Sequence, residues 1–239
     1  MLNIIAHRGD TTQAHENTMQ AFEAAHQTGV YGVELDIRLS ADHTPVVFHH
    51  MKAHTDTLDG FISSYTSDEL QSAILIGTDT KSYKIPRLAD VLDTFAGKLY
   101  LEMHLQSYSP ETITETVKLL QGYRQAWDLM EITCRDTAIL AGIKAGCPGL
   151  AVDFLFRSES WMTTDIVLQI MLEKARLAQV RAVHLNPSQI TAESVTFFRK
   201  HGFDVHAGGV DDATDLSYVR AHGITQVISN DIHALLKAL

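Results

Sequence analysis

The chain contains no stretch approaching the roughly 20 apolar residues of a membrane-spanning helix, so no membrane span is expected. It has two cysteines, Cys134 and Cys147, too few for a disulfide framework. They suit a reducing compartment, with one bridge still open to them. Basic residues are scarce: 19 Lys and Arg face 29 Asp and Glu, for a net charge of −10. That balance argues against a general nucleic-acid binder, which neutralises phosphates with clustered cations. It says less about small anions, because one metal ion inverts the field of an acidic pocket. The opening MLNIIAHRGD lacks the basic region and long apolar run of a signal peptide. The expectation is a cytoplasmic protein without stable membrane association. Internal repeats, low-complexity tracts and charge blocks are also missing.

What is present is ordinary for a globular chain of 239 residues, with 45% hydrophobic and 20% charged residues. One barrel domain over residues 1–239 is expected. Thirteen histidines are many. Composition does not pick out the useful ones, so position must.

Short β-branched runs recur: LNIIAH, YGVELDIRL, TPVVFHH, KLYLEMHL, DLMEITC, GLAVDFLF, VRAVHLN, GFDVHA and TQVISND. Helical periodicity separates most of them, for instance over 18–29, 88–95, 111–123, 136–145, 164–177, 191–201 and 212–221. Strand alternating with helix implies a parallel sheet covered by helices. One connection breaks this rhythm. Between Leu39 and Val46 lie six residues, SADHTP, whereas a parallel crossover needs a dozen or more. TPVVFHH therefore returns antiparallel beside VELDIRL. A turn centred on Ala41 and Asp42 would set Glu34 opposite His49, with Glu34, Asp36 and His49 on one face.

Eight strands remain, the number that closes a (β/α)8 TIM barrel. The fold class is thus α/β, with an extra antiparallel hairpin strand after strand 2. An inserted excursion near residues 52–86, read as loop, turn and a short helix over 67–74, should cover the mouth. An open doubly wound sheet is the alternative, but no Gly-rich phosphate loop follows the first strand.

A single Glu or His in a strand is most often a surface residue or a satisfied core group. Here several converge on strand ends: His7 and Arg8 after LNIIA, Glu34 and Asp36 in VELDI, His49 after PVVF, Glu102 and His104 in LYLEMH. Burying so many charges unpaired would cost several kcal/mol each, on the order of published penalties. The C-terminal face of a barrel is where catalytic groups collect. Three carboxylates around one point suit a hard cation, Mg2+ or Ca2+. Zinc, which prefers imidazole and thiolate, fits less well, although the histidines offer it donors.

These residues carry a resemblance. The chain resembles the glycerophosphodiester phosphodiesterase family, whose sequences open with a strand and HRG, then ENT and a helix containing AF. Here they read IAHRGD and HENTMQAFEAAHQTG. The family's ExD strand is matched by VELDI and its VVxHD strand by VVFHH. The turn, EL and IPxLxxVL pattern is matched by TLDGFISSYTSDEL and KIPRLADVL, and the IEIK strand in part by YLEMH. A weaker match runs on through HGITQVISND. The resemblance implies a metal-dependent hydrolase that splits glycerophosphodiesters into glycerol phosphate and an alcohol. By position, Glu34, Asp36 and Glu102 would bind the divalent metal, Mg2+ or Ca2+, with Mn2+ also admissible. His7 and His49 would form the acid/base pair and Arg8 would hold the phosphate. Glu16 would enter the site, orienting Arg8 or the metal's surroundings; its other reading is helix entry, with Asn17 or Thr18 as cap.

Three departures bear on the substrate. His50 follows His49 where the family has Asp, and His104 replaces a Lys, leaving it a hydrogen-bonding role toward the phosphate. GGVD, including Gly208 and Asp211, replaces WTVN, which should widen the pocket. Later strand ends offer Asp153, His184 and Asn186 as pocket or structural groups, and Trp161 as a wall of the mouth. Asn230 and Asp231 read as caps of the last helix. Two other functions are compatible: a lyase that makes a cyclic phosphate from a phospholipid head group, and a degenerate protein that binds a phosphodiester without cleaving it.

Overall fold

The computed structural model describes residues 2–77, 80–156 and 164–239. Trp161 lies outside them. Strands β1 (Asn3–His7), β2 (Gly32–Leu39), β8 (Tyr100–Leu105), β9 (Met130–Cys134), β10 (Ala151–Leu155), β11 (Ala182–Leu185), β12 (Asp204–Gly208) and β13 (Gln226–Ser229) are all parallel to their barrel neighbours. Their order is β1-β13-β12-β11-β10-β9-β8-β2, and a β1–β2 pairing closes the ring. The eight-stranded barrel is therefore observed and the open sheet is not.

Helices α1 (Met19–Gln27), α3 (Leu88–Phe95), α4 (Pro110–Gln121), α5 (Thr137–Gly146), α6 (Thr164–Ala178), α7 (Ala192–Lys200) and α8 (Ala213–Ala221) stand between strands, and α9 (Ile232–Lys237) follows the last. Local chemistry sets their starts. Thr18, Asp136, Thr191 and Asp212 each accept a hydrogen bond from a first-turn backbone N–H. Thr18, not Asn17, thus caps α1. Asp231 caps α9.

Period two divides the barrel strands. One parity (Val33, Leu35 and Ile37 on β2, for example) packs outward into the main apolar core against α1 and α3, where Phe22 and Phe95 meet edge to face. The other parity points inward and is mostly polar; its small apolar patch is Ile5, Tyr100 and Ile228. The chain has spent its charges inside the ring.

The hairpin strand β3 (Pro45–Val47) does return antiparallel along β2, in a register that differs from expectation. Ile37 faces Val47 and Leu39 faces Pro45, so Glu34 is not opposite His49. The connection has three loop residues rather than two: Ser40 N–H donates to Thr44 O (3.1 Å), and His43 takes a left-handed φ of 57°. That is the three-residue hairpin loop, which shifts pairing by one. The ladder continues to Phe48 N–H on Asp36 O at 2.9 Å and then breaks. Past the break, Arg38 holds the His49 carbonyl through Nε at 2.9 Å.

The excursion over 52–86 carries more order than a loop with one helix. Two antiparallel ribbons, β4 (Lys52–His54) with β5 (Asp59–Phe61) and β6 (Leu75–Ile76) with β7 (Ser82–Tyr83), flank α2 (Ser67–Ser72), whose start is a Thr66/Glu69 capping box. It has its own apolar core of Phe48, Ala53, Ile62, Leu70, Leu75 and Ile85. Among the described residues, no helix is long and apolar enough to cross a membrane.

Candidate active site

The site is built at the C-terminal ends of β1, β2 and β8. In register, His7 lies beside Glu34, Glu34 beside Glu102, and Asp36 beside His104. The HRG turn after β1 is wound tightly. Arg8 has φ 60°, and a Cβ on Gly9 (φ +86°) would strike Ala21 at 2.7 Å. An arginine in that region costs on the order of 1 kcal/mol. Arg8 N–H donates to Glu34 Oε2 (3.2 Å), and its carbonyl accepts from Asn17 N–H (3.0 Å). The turn thereby aims the guanidinium at the strand tips: Nη1 to Glu16 Oε2 at 2.8 Å and Nε to Asp36 Oδ2 at 3.1 Å. Glu16 therefore reaches into the site and orients Arg8.

Asp36 is the hub. His49 Nδ1 lies 3.0 Å from Oδ2, Gln106 Nε2 donates to Oδ1 at 2.7 Å, and His104 Nδ1 is 3.4 Å from Oδ1. Asn17, also left-handed at φ 56°, grips Asp36 twice: Nδ2 donates to Oδ2 (3.0 Å), and Oδ1 accepts from the Asp36 N–H (3.1 Å). Burial opposes ionisation of Asp36, but the bonds from His104, His49 and Gln106 outweigh it and hold it below the usual carboxylate range. Burial and the Asp36 charge instead push Glu34 well above that range. Glu102 is driven up by burial and by Glu131. Burial, with Arg8 nearby, lowers His7 and favours its neutral ring. His7 Nδ1 is fixed on Asn230 Oδ1 at 2.6 Å, leaving Nε2 3.8 Å from Glu34 Oε2.

The seven strand-end residues of the sequence reading therefore come together, joined by Glu16. Several partners were not singled out for the site. Asn230 was read as a cap, and it instead holds His7 and is itself fixed by Asp211, whose carboxylate accepts from the Asn230 N–H (2.7 Å) and Nδ2 (2.9 Å). Asn17 and Gln106 orient Asp36. The ENT motif was the available signal for Asn17. Gln106, two residues past His104 and just beyond β8, continues the inward-facing even positions of that strand. His50 is exposed, 4.0 Å from Glu16 Oε1. A Cβ on Gly208 would come no closer than 3.9 Å to Ile228 Cδ1, so room is indeed left there.

Two cavities meet at His7 and Asn230. One, of about 740 Å3, runs under the excursion past Arg8, Glu16, Phe48, His50, Lys52 and His54. The other, of about 480 Å3, descends past Glu34, Glu102, His104, Phe156, Asn186 and Gly208. A phosphorus centre at their junction would have room for an organic group on either side.

The residues present fit a divalent cation. Glu34, Asp36 and His104 offer ligand atoms within 4.8 Å of one another. Glu102 Oε2 and His104 Nε2 are buried without a hydrogen-bond partner. Of the three carboxylates Glu34, Asp36 and Glu102, the Arg8 guanidinium pairs with Asp36, and the repulsion left among them is what an ion relieves.

Deeper in the ring, Asp153 and His184 lie with Glu131 and His206 in a second, buried group, of which His184 also lines the second cavity. Arg181 enters from the opposite end of the barrel to Glu131 Oε2 and, at 2.8 Å, to Asp153 Oδ2. Tyr100 and Gln226 donate to Glu131 at 2.6 and 3.0 Å. Burial, with Asp153 beside it, nevertheless pushes Glu131 up to about 7.

A closed parallel barrel whose strand tips gather acids, imidazoles and an arginine around a cavity defines a barrel hydrolase for anionic substrates. The comparisons with known proteins specify which. Residues 7–234 match the glycerophosphoryl diester phosphodiesterase family, and the chain belongs to it. It is a phosphoric diester hydrolase. A glycerophosphodiester phosphodiesterase of Caldanaerobacter subterraneus subsp. tengcongensis is 25% identical over 98% of this chain and 96% of its own. The structure of an Oleispira antarctica phosphodiesterase in complex with the product sn-glycerol-3-phosphate superposes with a TM-score of 0.81 at 25% identity. That match covers 99% of this chain and 96% of the other. A Silicibacter pomeroyi structure described as a glycerophosphoryl diester phosphodiesterase shares the fold, with a TM-score of 0.84 at 19% identity, covering 97% and 90% of the two chains.

Proposed function

We propose that this chain, acting as one barrel unit over residues 1–239, hydrolyses glycerophosphodiesters to glycerol phosphate and an alcohol with a divalent metal. Mg2+ or Ca2+ is the proposed ion, with Mn2+ admissible, and Glu34, Asp36 and Glu102 are the residues that hold it. The position of His104 Nδ1, 3.4 Å from Asp36 and 3.9 Å from Glu34, supports giving that imidazole to the ion as well as to the phosphate. When bound, such an ion supplies Lewis-acid stabilisation of charge on the phosphoryl oxygens.

The chain's own residues do the rest. Arg8, steadied by Glu16, offers its guanidinium fork to two non-bridging oxygens. His7 and His49 share the proton work. One ring takes a proton from the attacking oxygen as its bond to phosphorus forms. The other gives a proton to the alkoxide as the old P–O bond breaks. Each ring has Nδ1 tied to an oxygen, of Asn230 or of Asp36; His7 thereby presents Nε2 to the cavity, while His49 Nε2 lies 3.3 Å from Arg8 Nη2, a contact that a phosphate drawn to the guanidinium would release. Burial of the two free thiols, Cys134 and Cys147, is consistent with the reducing cytoplasm we assign.

The observation that carries this reading is the contact network of His7, Arg8, Glu34, Asp36, His49 and His104, four of which (His7, Arg8, Glu34 and His104) line the two adjoining cavities. The decisive experiment incubates purified protein with glycerophosphocholine, glycerophosphoethanolamine and bis-(p-nitrophenyl) phosphate in Mg2+, Ca2+ or Mn2+, and follows products by phosphorus NMR. Linear glycerol phosphate is expected. A cyclic phosphate as the final product would move the chain to the lyase class. Binding without turnover under every pairing would leave a binding protein.

A further inference from the structure

The buried group inside the barrel has features that a hydrogen-bonded core does not require. Asp153 Oδ2 lies 3.3 Å from His184 Nε2 and 3.2 Å from His206 Nδ1, and those two nitrogens are 3.4 Å apart. Each ring nitrogen carries one hydrogen at most and an ionised carboxylate carries none. At most two sides of this triangle can therefore be hydrogen bonds. Donor atoms bound to one tetrahedral ion at ~2.0–2.1 Å are separated by ~3.3–3.4 Å, the edge of that tetrahedron. The triangle has that size.

The remote nitrogens point the same way. His184 Nδ1 faces Glu102 Oε1 at 3.6 Å, and His206 Nε2 faces Asp204 Oδ2 at 4.0 Å. A carboxylate behind the far nitrogen is the usual backing of a metal-bound histidine, since it keeps the proton off the ligating side. Thr133 Oγ1 is buried in this interior without a hydrogen-bond partner. Thr133 sits across from Asp153 in register. Charge agrees: Glu131 and Asp153, if ionised, share the one guanidinium of Arg181, with Glu102 next to Glu131 in register. A dication would cancel the remainder.

We infer that the barrel interior is a second divalent-cation site, formed by Asp153, His184 and His206 with Glu131 or a water as fourth donor. Two imidazoles with carboxylate suit zinc or a neighbouring late first-row metal, in contrast to the oxygen-rich mouth. The ion ties β10, β11 and β12 together, and through His184 it backs Glu102. This site does not depend on the reaction proposed for the mouth.

The test uses the full chain carrying Glu34→Gln and Asp36→Asn, which disables the mouth, after chelation and reloading with Co2+ or Zn2+. One retained equivalent per chain is expected by elemental analysis, with the intense visible absorption of four-coordinate Co2+. Adding His206→Gln should lose both. No retained ion, a weak six-coordinate spectrum, or retention despite His206→Gln would each overturn the inference. Should His206→Gln fail to fold, the stoichiometry and spectrum of the double variant decide alone.

Discussion

The mouth of the barrel and its interior are made from nearly the same side chains, yet they are finished differently. In the interior, Glu131 and Asp153 are wholly buried, and Arg181, Tyr100 and Gln226 are spent on them. At the mouth, Arg8 leans on Asp36 and Glu16 from the edge of an open cavity, and two carboxylates are held above their usual range by burial and crowding. Acids sealed inside the ring, on Arg181 and the ion inferred there, serve stability. Acids left wanting a cation beside open space serve chemistry.

Substitutions should separate the two regions. Glu34→Gln should lower kcat/KM by about 10³-fold or more, with the melting temperature little changed by calorimetry. His49→Ala should lower turnover by about 10²–10⁴-fold, without weakening ligand binding in a calorimetric titration. Arg181→Met should act the opposite way. Leaving two buried carboxylates without their guanidinium partner should cost about 3 kcal/mol in urea unfolding, while the folded fraction keeps its turnover. If Arg181→Met were stable and inactive, the division between the regions would be wrong.

Weaker effects sharpen it. Asn230→Ala unties His7 and should cost about 10–100-fold in kcat, read by steady-state kinetics. Smallest is a pH effect at the exposed Asp42. Burial opposes its charge, but bonds from Ser40 and Ser67 together outweigh it and draw it down from 3.8 to about 2. The folded value is depressed, so its stabilisation is full above about pH 4 and fades as pH falls toward 2. Asp42→Asn should flatten acid unfolding over that window, read by circular dichroism.

Much of this was legible in the sequence because it rests on local rules. Period two placed Glu34 and Asp36 on one face, and the short SADHTP connection forced an antiparallel arm. Strand count gave the barrel. What escaped depends on particular loop conformations and distant partners. Nothing in SADHTP distinguishes a two-residue loop from three residues with His43 left-handed. Asn230 meets His7 from the far end of the chain, and its neighbour Asp231 offered a sufficient capping reading. The ribbons of the excursion are two or three residues long, too short for alternation to register. The interior acids did leave a trace, since Glu131 and Asp153 share the inward parity of Glu102, but without the ring closed there was no reason to join them.

The odd count of residues in the tip after β2 has a consequence for how this chain can vary. Exposed tips ordinarily absorb insertions at little cost. Here one amino acid more or less would invert the returning arm, carrying Phe48 outward and taking the adjoining imidazole away from Asp36. Homologues of differing length should therefore change by pairs at this tip, or make up the difference between Phe48 and Lys52.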